Sequence, residues 1–558
     1  MPPVNLAQLH RGVAEKLGPR PALRFKQDGL YHDLSWTEYR RLADQAARGL
    51  MALGLNVGDR LALLAENRWE WLVADIAALS AGLADVTMHA PLAPPQVQYQ
   101  VAHSQARGII VSGQTQADKV YAVQKELPGL EFLISLDPIR PQGGLRHLTW
   151  DGLLALGQRQ GHTGQEELRH REAALHSESL ATVIYTSGTT GNPKGVMLTH
   201  GNLLSNATAM KAVSMIDHTD TLLSWLPYSH IYARTVDHYH TTLAEAVVAL
   251  AENVDSLTRN LAETQPTWLT AVPRFYEKVW AYVEPLPPQE RQVRLRQIFG
   301  SRIRWLSSGG APLPKHIGLA FKDAGLEIFE GYGLTETSPV ISFNRLNNNR
   351  VGSVGQAIPG VEVQIASDGE ILTRGPHVMK GYWREPDATA AVLTSDGWFH
   401  TGDIGTLDDE GFLTITDRKK DIIVTSNGKN VTPSEIERLL TSDPFIDQAV
   451  VHGDARPFVT ALIVPNLPLL EKAAQEQGLT LDIVGDFIRS PHIHALFRER
   501  IDKLMQEVSN PERVKEFLIL SRPLRLEDEE LTATLKVRRR AILRKYTSQL
   551  EDLYANGD

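Results

Sequence analysis

The residues most suited to chemistry form a short run of glycines and hydroxyls in YTSGTTGNPKGV, residues 185–196. Its candidate ligand-binding residues are Thr186, Ser187, Gly188, Thr189, Thr190, Gly191 and Lys194. Glycine lets several backbone N–H groups point at one anion. Hydroxyls add hydrogen-bond donors, and a lysine adds a point charge that suits phosphate. The run therefore predicts a phosphate-binding loop.

The elements around this loop support the same prediction. Apolar residues 181–185 predict a strand before the loop, and residues 199–210 predict a helix after it. A strand, a Gly/Ser/Thr loop and a helix are the usual setting for phosphate. The loop is not a Walker sequence, because Pro193 precedes Lys194 and Gly195 follows it. From this pattern alone, a flexible loop without a ligand is the alternative.

Length and composition limit the kind of protein. A chain of 558 residues predicts two or more domains. The net charge of −9 argues against a nucleic-acid-binding surface, and the absence of cysteine excludes disulfides, thiolate metal sites and cysteine nucleophiles. The N-terminus has no basic start followed by an apolar core, and Asp75 and Asp85 interrupt the most apolar stretch. We therefore expect a cytoplasmic protein without a membrane span.

The first half of the chain alternates strand and helix patterns. Strands are predicted at 60–64, 84–88, 108–111, 221–226, 246–251, 268–272 and 304–308, and helices at 69–81 and 94–104. This alternation indicates parallel sheet with helices on its faces. The polar segment 159–179 is interpreted as a surface connection.

The pattern changes near residue 351. Short segments separated by turns, VEVQI, EILTR, WFHTGDIG and FLTIT, predict a small antiparallel barrel or sheet. The charged run 417–421 follows, and then Thr432-Pro433-Ser434-Glu435 reads as a capping box. Strands at 448–452 and 459–464 and helices at 467–475, 482–488 and 493–508 are predicted to complete a second domain.

Seven sequence blocks occur in a characteristic order. They are YTSGTTGNPKGV (185–196), LPYSH (226–230), SSGGAPL (307–313), GYGLTET (331–337), TGD (401–403), DRKKDIIVTSNGKNVTPSEIE (417–437) and LTATLKVRR (531–539). Over nearly its whole length the chain resembles the adenylate-forming superfamily, which includes acyl-CoA synthetases, peptide-synthetase adenylation domains and beetle luciferases.

The resemblance implies an α/β fold with two domains. The large N-terminal domain, 1–419, would contain two parallel-sheet subdomains and a β-barrel subdomain at about 350–416. A small, mobile α+β lid would occupy 420–558, with its hinge at Lys420.

The resemblance also implies a reaction in two halves, with ATP, Mg²⁺ and coenzyme A taking part. A carboxylate first attacks the α-phosphate of ATP, and a thiol then displaces AMP. By similarity, Glu336 and Thr186 hold Mg²⁺, Thr335 lies near the α-phosphate, and Lys536 bridges the acid and the α-phosphate. His230 would contact the acyl carboxylate or gate the thiol channel, although a structural histidine is the alternative.

The remaining implied contacts are with nucleotide and thiol. Tyr332 would stack on adenine, and Asp403 and Arg418 would bind the ribose. The other implied nucleotide-binding residues are Gly309, Gly310, Ala311, Glu330, Gly331, Gly333 and Lys420. The implied thiol channel consists of Ser426, Asn427, Gly428 and Lys429.

The blocks LPYSHIYART and AVPRFYEKVW resemble the long-chain fatty acyl-CoA synthetase branch. A medium- or long-chain fatty acid is therefore the expected substrate, with possible peripheral membrane contact. A ligase for an aryl or branched acid, a ligase that delivers its adenylate to a carrier protein, and a non-catalytic nucleotide-binding relative remain alternatives. The sequence does not indicate an oligomeric state.

Overall fold

The computed structural model describes residues 3–186, 192–419, 423–426, 430–509, 512–525, 528–531 and 537–555. The chain divides into two compact units. The first unit consists of Met1–Gln364, Leu372–Thr401 and Asp408–Leu413. The second unit consists of Ile365–Ile371, Gly402–Leu407 and Thr414–Asp558. The domain boundary expected at Lys420 and the barrel expected at 350–416 stay predictions.

The strands up to residue 418 are mostly short. They are β1 (Pro21–Gln27), β2 (Leu30–Ser35), β3 (Arg60–Leu64), β4 (Ala84–Met88), β5 (Ala106–Val111), β6 (Phe132–Ser135), β7 (Arg146–Thr149), β8 (Leu180–Thr186), β9 (Lys194–Thr199), β10 (Thr221–Ser224), β11 (Val247–Leu250), β12 (Trp268–Ala271), β13 (Trp305–Ser308), β14 (Ile328–Gly333), β15 (Val340–Phe343), β16 (Gln356–Ala357), β17 (Glu362–Ile365), β18 (Glu370–Arg374), β19 (Gly381–Tyr382), β20 (Phe399–Leu407) and β21 (Leu413–Arg418).

Two large sheets organise the first unit. One has the strand order β19-β9-β8-β4-β3-β5-β6-β7, and the other has the order β16-β15-β14-β13-β12-β10-β11-β1-β2. Strands β3 to β7 pair in parallel, as do β10 to β14 where they are neighbours. The residues of the inner strands β3, β4, β10 and β12 are almost entirely buried, because helices cover both faces of parallel sheets. The parallel sheets predicted from the alternation are present.

Fifteen α-helices accompany these strands in the part of the chain up to residue 418 that the structure describes. They are α1 (Leu6–Leu17), α2 (Trp36–Ala52), α3 (Trp69–Ser80), α4 (Pro94–Ser104), α5 (Gln114–Ala122), α6 (Trp150–Arg159), α7 (Gly161–Ala174), α8 (His200–Ser214), α9 (Ile231–Ala233), α10 (Thr241–Ala244), α11 (Leu257–Thr264), α12 (Pro273–Val283), α13 (Pro288–Phe299), α14 (Lys315–Asp323) and α15 (Pro386–Ala390).

Side-chain caps define where several helices begin. Asn5 accepts a hydrogen bond from the backbone of Gln8 at the start of α1, and Ser35 does the same for Glu38 at the start of α2. Thr199 and Asn202 exchange hydrogen bonds with each other's backbone N–H at the start of α8. Such caps satisfy N–H groups that have no partner within the helix.

Segment 159–179 is mostly exposed, as its interpretation as a surface connection requires, and it contains helix α7. Leu168 and Glu172 of this helix are buried. The Glu172 carboxylate accepts hydrogen bonds from Arg11 Nε at 2.6 Å and from Arg40 Nη2 at 2.7 Å. The polar composition gave no apolar pattern that predicts a helix. One of the charged residues, Glu172, is buried and paired.

Both aspartates that interrupt the apolar stretch lie in the core. Asp75 and Asp85 each pair with the guanidinium of Arg234, and all three side chains are essentially fully buried. Arg234 begins a π-helical segment, Arg234–His240. Pairing with a cation lowers the cost of burying a carboxylate, and the Arg234 guanidinium pairs with both aspartates. In the part of the chain that the structure describes, no helix combines the length and the apolarity needed to cross a membrane.

The second unit has its own small sheet and core. Its strands are β22 (Ile423–Val424), β23 (Asn430–Val431), β24 (Ile446–His452), β25 (Val459–Pro465), β26 (Ile483–Val484), β27 (Phe487–Ile488) and β28 (Val514–Ile519), and its helices are α16 (Pro433–Leu440), α17 (Leu467–Glu476), α18 (Pro491–Leu504), α19 (Arg539–Lys545) and α20 (Thr547–Ala555). The sheet order is β24-β25-β28, with an antiparallel and then a parallel pairing.

Two local predictions for this unit are wrong. Residues 482–488 form the β26–β27 hairpin rather than a helix, because Gly485 takes a positive φ of 62° that turns the chain. Helix α16 begins where predicted, but the Thr432 side chain does not cap it. Nearby, the Ser434 hydroxyl donates to Asp417 Oδ1 at 2.8 Å, a contact between residues 17 positions apart.

Candidate active site

Glu336 lies in a short 3-10 turn, Thr335–Thr337, after strand β14. Its Oε1 accepts a hydrogen bond from the Tyr382 hydroxyl at 2.9 Å. Its backbone carbonyl accepts from the N–H of Met379 at 2.8 Å. The segment around β19 therefore fixes both the backbone and the side chain of this glutamate.

Tyr382 also faces the lysine of the glycine-rich segment. Lys194 Nζ lies 4.8 Å from the centre of the Tyr382 ring, a cation–π distance. Strand β19 pairs with β9, and β9 pairs with β8 so that Lys194 is opposite Thr186. Burial, and then the neighbouring Glu336 carboxylate, raise the pKa of Tyr382, so its hydroxyl keeps its proton and remains a donor.

Tyr382 is thus a site residue that the sequence reasoning missed. It lies in MKGYW, residues 379–383, which contains no recognisable ligand pattern. The only available signal was an aromatic residue beside Gly381, and an aromatic residue in that setting is more often part of a core.

The oxygen atoms of Glu336 and Thr186 fit the magnesium that the family resemblance implies. Within the described ranges, no group of three or more His, Cys, Asp or Glu side chains could hold a metal. Mg²⁺ is usually held by one or two protein oxygens together with phosphate oxygens and water. One carboxylate and one hydroxyl are donors of this kind.

The glycines beside Tyr332 are required by packing. A Cβ on Gly333 would lie 1.7 Å from the carbonyl oxygen of Pro339, and a Cβ on Gly331 would lie 2.8 Å from the Phe343 ring. Tyr332 itself is 9% exposed. Both glycines therefore have a structural reason to be present, whether or not a ligand approaches.

The loop after β13 combines close packing with an exposed backbone. A Cβ on Gly309 would lie 2.9 Å from the Tyr232 ring, whereas Gly310 takes a positive φ of 84° and is exposed with Ala311. The Glu330 carboxylate accepts from the backbone of Leu313 at 3.4 Å and of Gly352 at 3.3 Å. Burial raises the pKa of Glu330 to about 7. Its two backbone hydrogen bonds show that this side chain supports the loop.

His230 lies in a loop that is attached to strand β4. The Thr87 hydroxyl donates to the Ser229 carbonyl at 3.2 Å, and the Ser229 hydroxyl lies 2.7 Å from His89 Nδ1. His230 Nδ1 accepts from the backbone N–H of Tyr232 at 3.2 Å. Because Nδ1 accepts, a neutral His230 ring carries its proton on Nε2.

His89 is a second residue that the sequence reasoning missed. Its ring stacks beside that of His230, with centroids 6.3 Å apart. Burial lowers the pKa of His89 to about 4, so its ring is neutral at physiological pH. It can support the loop without placing a second positive charge there.

The second unit brings Asp403 and Arg418 together. Arg418 Nε lies 3.2 Å from Asp403 Oδ1, and the aspartate side chain is 6% exposed while the arginine is 55% exposed. Glu370 accepts from the backbone of Gly402 at 2.9 Å and from Lys419 Nζ at 2.9 Å. The Asp403 backbone is thereby anchored. Ser426, expected in the thiol channel, is exposed and donates its N–H to the Arg456 carbonyl.

The structure thus places Glu336 and Lys194 beside Tyr382 in the first unit, with Thr186 opposite Lys194 in the β8–β9 pairing, and it brings Asp403 together with Arg418 in the second unit. The other expected site residues lie outside the described residues: Ser187, Gly188, Thr189, Thr190, Gly191, Lys420, Asn427, Gly428, Lys429 and Lys536.

Two family models match the chain. The model described as AMP-binding enzyme matches residues 11–383, and the model described as AMP-binding enzyme C-terminal domain matches residues 420–558. Long-chain-fatty-acid--CoA ligase FadD15 of Mycobacterium bovis is 34% identical, over 94% of this chain and 93% of that protein. Long chain acyl-CoA synthetase 7, peroxisomal, of Arabidopsis thaliana is 28% identical, over 95% of this chain and 83% of that protein.

A solved structure agrees with these matches. The ATP-bound MatB of Rhodopseudomonas palustris superposes with a TM-score of 0.75 at 26% identity, over 99% of this chain and 100% of that chain. The family and the α/β fold class predicted from the sequence are confirmed. The chain belongs to the AMP-binding enzyme family, the adenylate-forming superfamily.

Proposed function

We propose that this protein is an ATP-dependent ligase that joins a medium- or long-chain fatty acid to coenzyme A. The observation that carries the proposal is the contact that both Lys194 and Glu336 make with Tyr382. A lysine together with a carboxylate that can bind Mg²⁺ suits a nucleoside triphosphate. The identity to relatives named as long-chain fatty acid ligases supports the choice of acid.

In the first half-reaction, a carboxylate oxygen of the fatty acid attacks the α-phosphorus of ATP. The bond from that phosphorus to the bridging oxygen breaks, and pyrophosphate leaves with the electron pair. Two anions must meet, so the site has to supply positive charge and positioning. In this proposal Lys194 acts on the departing phosphates, Lys536 lies between the acid and the α-phosphate, and His230 orients the acid through Nε2.

In this proposal Asp403, Arg418 and Tyr332 hold the nucleotide. Asp403 accepts from the ribose hydroxyls with its two carboxylate oxygens, and Arg418 supports it. Tyr332 covers the adenine. When bound, Mg²⁺ would neutralise charge on the phosphates, with Glu336 and Thr186 as its protein ligands.

In the second half-reaction, the sulfur of coenzyme A attacks the acyl carbon of the adenylate. The bond from that carbon to the phosphate oxygen breaks, AMP leaves, and the thiol proton is released. We propose that the C-terminal region, turning at Lys420, removes Lys536 and brings Ser426, Asn427, Gly428 and Lys429 to the thiol. Because such acids partition into bilayers, the proposal includes peripheral contact of the protein with a membrane. We also propose a cytoplasmic location.

The test is a pyrophosphate-release screen over acids of increasing chain length, with and without coenzyme A. We expect sustained release with long-chain acids only when coenzyme A is present, together with an equal amount of acyl-CoA. Sustained release only with aryl or branched acids, or thioester on a carrier protein but not on coenzyme A, would replace the proposed substrate or acceptor. The absence of release with every acid would contradict ligase activity.

A further inference from the structure

The carboxylate of Glu530 is completely buried in the second unit. Arg522 approaches it as a fork, with Nη2 donating to Oε1 at 2.7 Å and Nη1 to Oε2 at 2.8 Å. Lys545 Nζ donates to Oε1 at 2.8 Å, and the backbone N–H of Arg525 donates to Oε2 at 2.9 Å. Four donors therefore fix the carboxylate in one orientation.

The Glu530 carboxylate accepts more hydrogen bonds than the carboxylate of a simple surface ion pair. Burial alone would raise the pKa of Glu530, but the hydrogen bonds from Arg522, Lys545 and the Arg525 backbone lower it to about 2. The carboxylate is thus charged at any physiological pH. Breaking one partner of a buried pair is far more costly than losing a surface pair, so the arrangement resists distortion.

Glu530 stands at the start of the segment that carries Lys536. The Glu530 carbonyl accepts a hydrogen bond from the N–H of Arg538 at 2.8 Å. Next to this bond, Leu531 and Val537 form an isolated antiparallel bridge. The two ends of segment 531–537 are therefore held side by side, and the Glu530 backbone is one of the groups that hold them.

The Glu530 carboxylate connects the paired ends of segment 531–537 to the rest of the unit. Arg522 follows strand β28, and Lys545 is the last residue of helix α19, which begins directly after the segment. Asp528 lies 3.1 Å from Lys545 Nζ and 3.4 Å from Arg522 Nη2, and Asp486 lies 3.5 Å from Arg522 Nη2, so the two cations are shared among several acids. Glu530 is the one of these acids whose own backbone closes the segment.

We propose that Glu530 is a positioning residue for adenylation, which fixes the base of segment 531–537 so that Lys536 is presented to the acid and the α-phosphate. The inference rests on the proposed function, since it takes Lys536 as the adenylation lysine. Displacement of a reacting group by about 1 Å can cost about 100-fold in rate. Holding the two ends of segment 531–537 in place should therefore matter more for the rate of adenylation, which uses Lys536, than for the rate of thioester formation.

The test compares the two half-reactions in Glu530→Gln, which keeps the shape of the side chain and removes its charge. We expect kcat for acid-dependent pyrophosphate release to fall about 10- to 100-fold, with little change in KM for ATP. Thioester formation from synthetic acyl-adenylate and coenzyme A should stay within about two-fold of wild type, since Lys536 is not used there.

Asp443→Asn is the matched control. Asp443 accepts from Arg500 Nε at 2.8 and 2.9 Å in the same unit, and neither residue borders segment 531–537. Its loss should leave the ratio of the two half-reactions unchanged. If Glu530→Gln does not fold, Arg522→Lys keeps the positive charge without the fork and should show the same selective loss.

Equal loss of both half-reactions in the folded variants, or no loss of pyrophosphate release, would overturn the positioning role. These results differ from failure of the proposed function itself. In that case the wild type would release no pyrophosphate with any acid, or Lys536→Ala would adenylate normally, and the inference about Glu530 would be overturned with it.

Discussion

The hydroxyl of Tyr382 donates to Oε1 of Glu336 at 2.9 Å, although 46 residues separate them along the chain. This hydrogen bond holds one carboxylate oxygen of Glu336 in a defined position. The same ring lies 4.8 Å from Lys194 Nζ, so one tyrosine fixes the relative positions of the carboxylate and the lysine.

Replacement of Tyr382 by Phe should impair adenylation while the protein stays folded. The ring that faces Lys194 is retained, but Glu336 loses one oriented donor. A hydrogen bond to a charged group is worth about 1.5–3 kcal/mol, so kcat/KM for pyrophosphate release should fall by about 10- to 100-fold. Titrating Mg²⁺ at fixed ATP should show a higher magnesium requirement.

Tyr31→Phe is the control for this substitution. Its hydroxyl donates to the Leu250 carbonyl at 3.2 Å in the same unit, so the same atom and one hydrogen bond are lost away from the carboxylate. Its pyrophosphate release should equal that of wild type. A wild-type magnesium requirement in Tyr382→Phe would contradict the role given to this hydroxyl.

Asp403→Asn should weaken ATP binding. The carboxylate is nearly buried beside Arg418, and the proposed ribose contact needs two strong acceptors. Loss of a charge-assisted hydrogen bond of about 1.5–3 kcal/mol predicts a KM for ATP about 10- to 100-fold higher. Asp368→Asn removes a carboxylate that pairs with Lys419 at 2.7 Å in the same unit and should leave this KM unchanged. Equal effects in both variants would argue for a general loss of structure.

Lys536→Ala should separate the two half-reactions. Removing one preorganised positive group usually costs about 100- to 1,000-fold, so acid-dependent pyrophosphate release should fall by at least about 100-fold. Thioester formation from synthetic acyl-adenylate should remain near the wild-type rate. Lys503→Ala, an exposed lysine in helix α18, is the control and should affect neither. Equal loss of both half-reactions would contradict a lysine that acts in one of them.

Asp237 makes the stability of the first unit depend on pH. Its carboxyl is completely buried, and the Ser224 hydroxyl donates to Oδ2 at 2.8 Å. Burial raises the pKa of Asp237 to about 7, against about 3.9 in an unfolded chain. Between these values the folded protein holds a proton that the unfolded chain has released. This group therefore lowers the free energy of unfolding as pH rises from about 4 to 7.

Asp237→Asn should remove that dependence. Relative to wild type, the free energy of unfolding of the variant should increase by about 2–3 kcal/mol between pH 5 and pH 8. Urea titrations followed by tryptophan fluorescence provide the measurement. Asp217→Asn is the control, because this exposed carboxylate has a pKa lowered by hydrogen bonds from Thr219 and stays charged over the whole interval. A constant difference between Asp237→Asn and wild type would contradict a buried, protonated Asp237.

The sequence by itself determined the family and much of the local structure. Strands β3 and β4 and helix α4 begin and end at the predicted residues. Buried parallel strands are rich in apolar residues, and that composition is visible in the sequence. The ordered blocks indicated the adenylate-forming superfamily, and with it Glu336, Asp403, Arg418 and Lys536. These inferences depend on residues close together in the chain.

Only the tertiary structure decided which side chains meet. Helix α7 was hidden because Glu172 finds its partners, Arg11 and Arg40, more than 100 residues away. The predicted Thr432 cap of α16 does not form, and the neighbouring Ser434 donates to Asp417. Tyr382 reaches Glu336 only because β19 pairs with β9. A carboxylate costs the same to bury whether its partner is near or far in sequence, and folding alone brings the distant partner into contact.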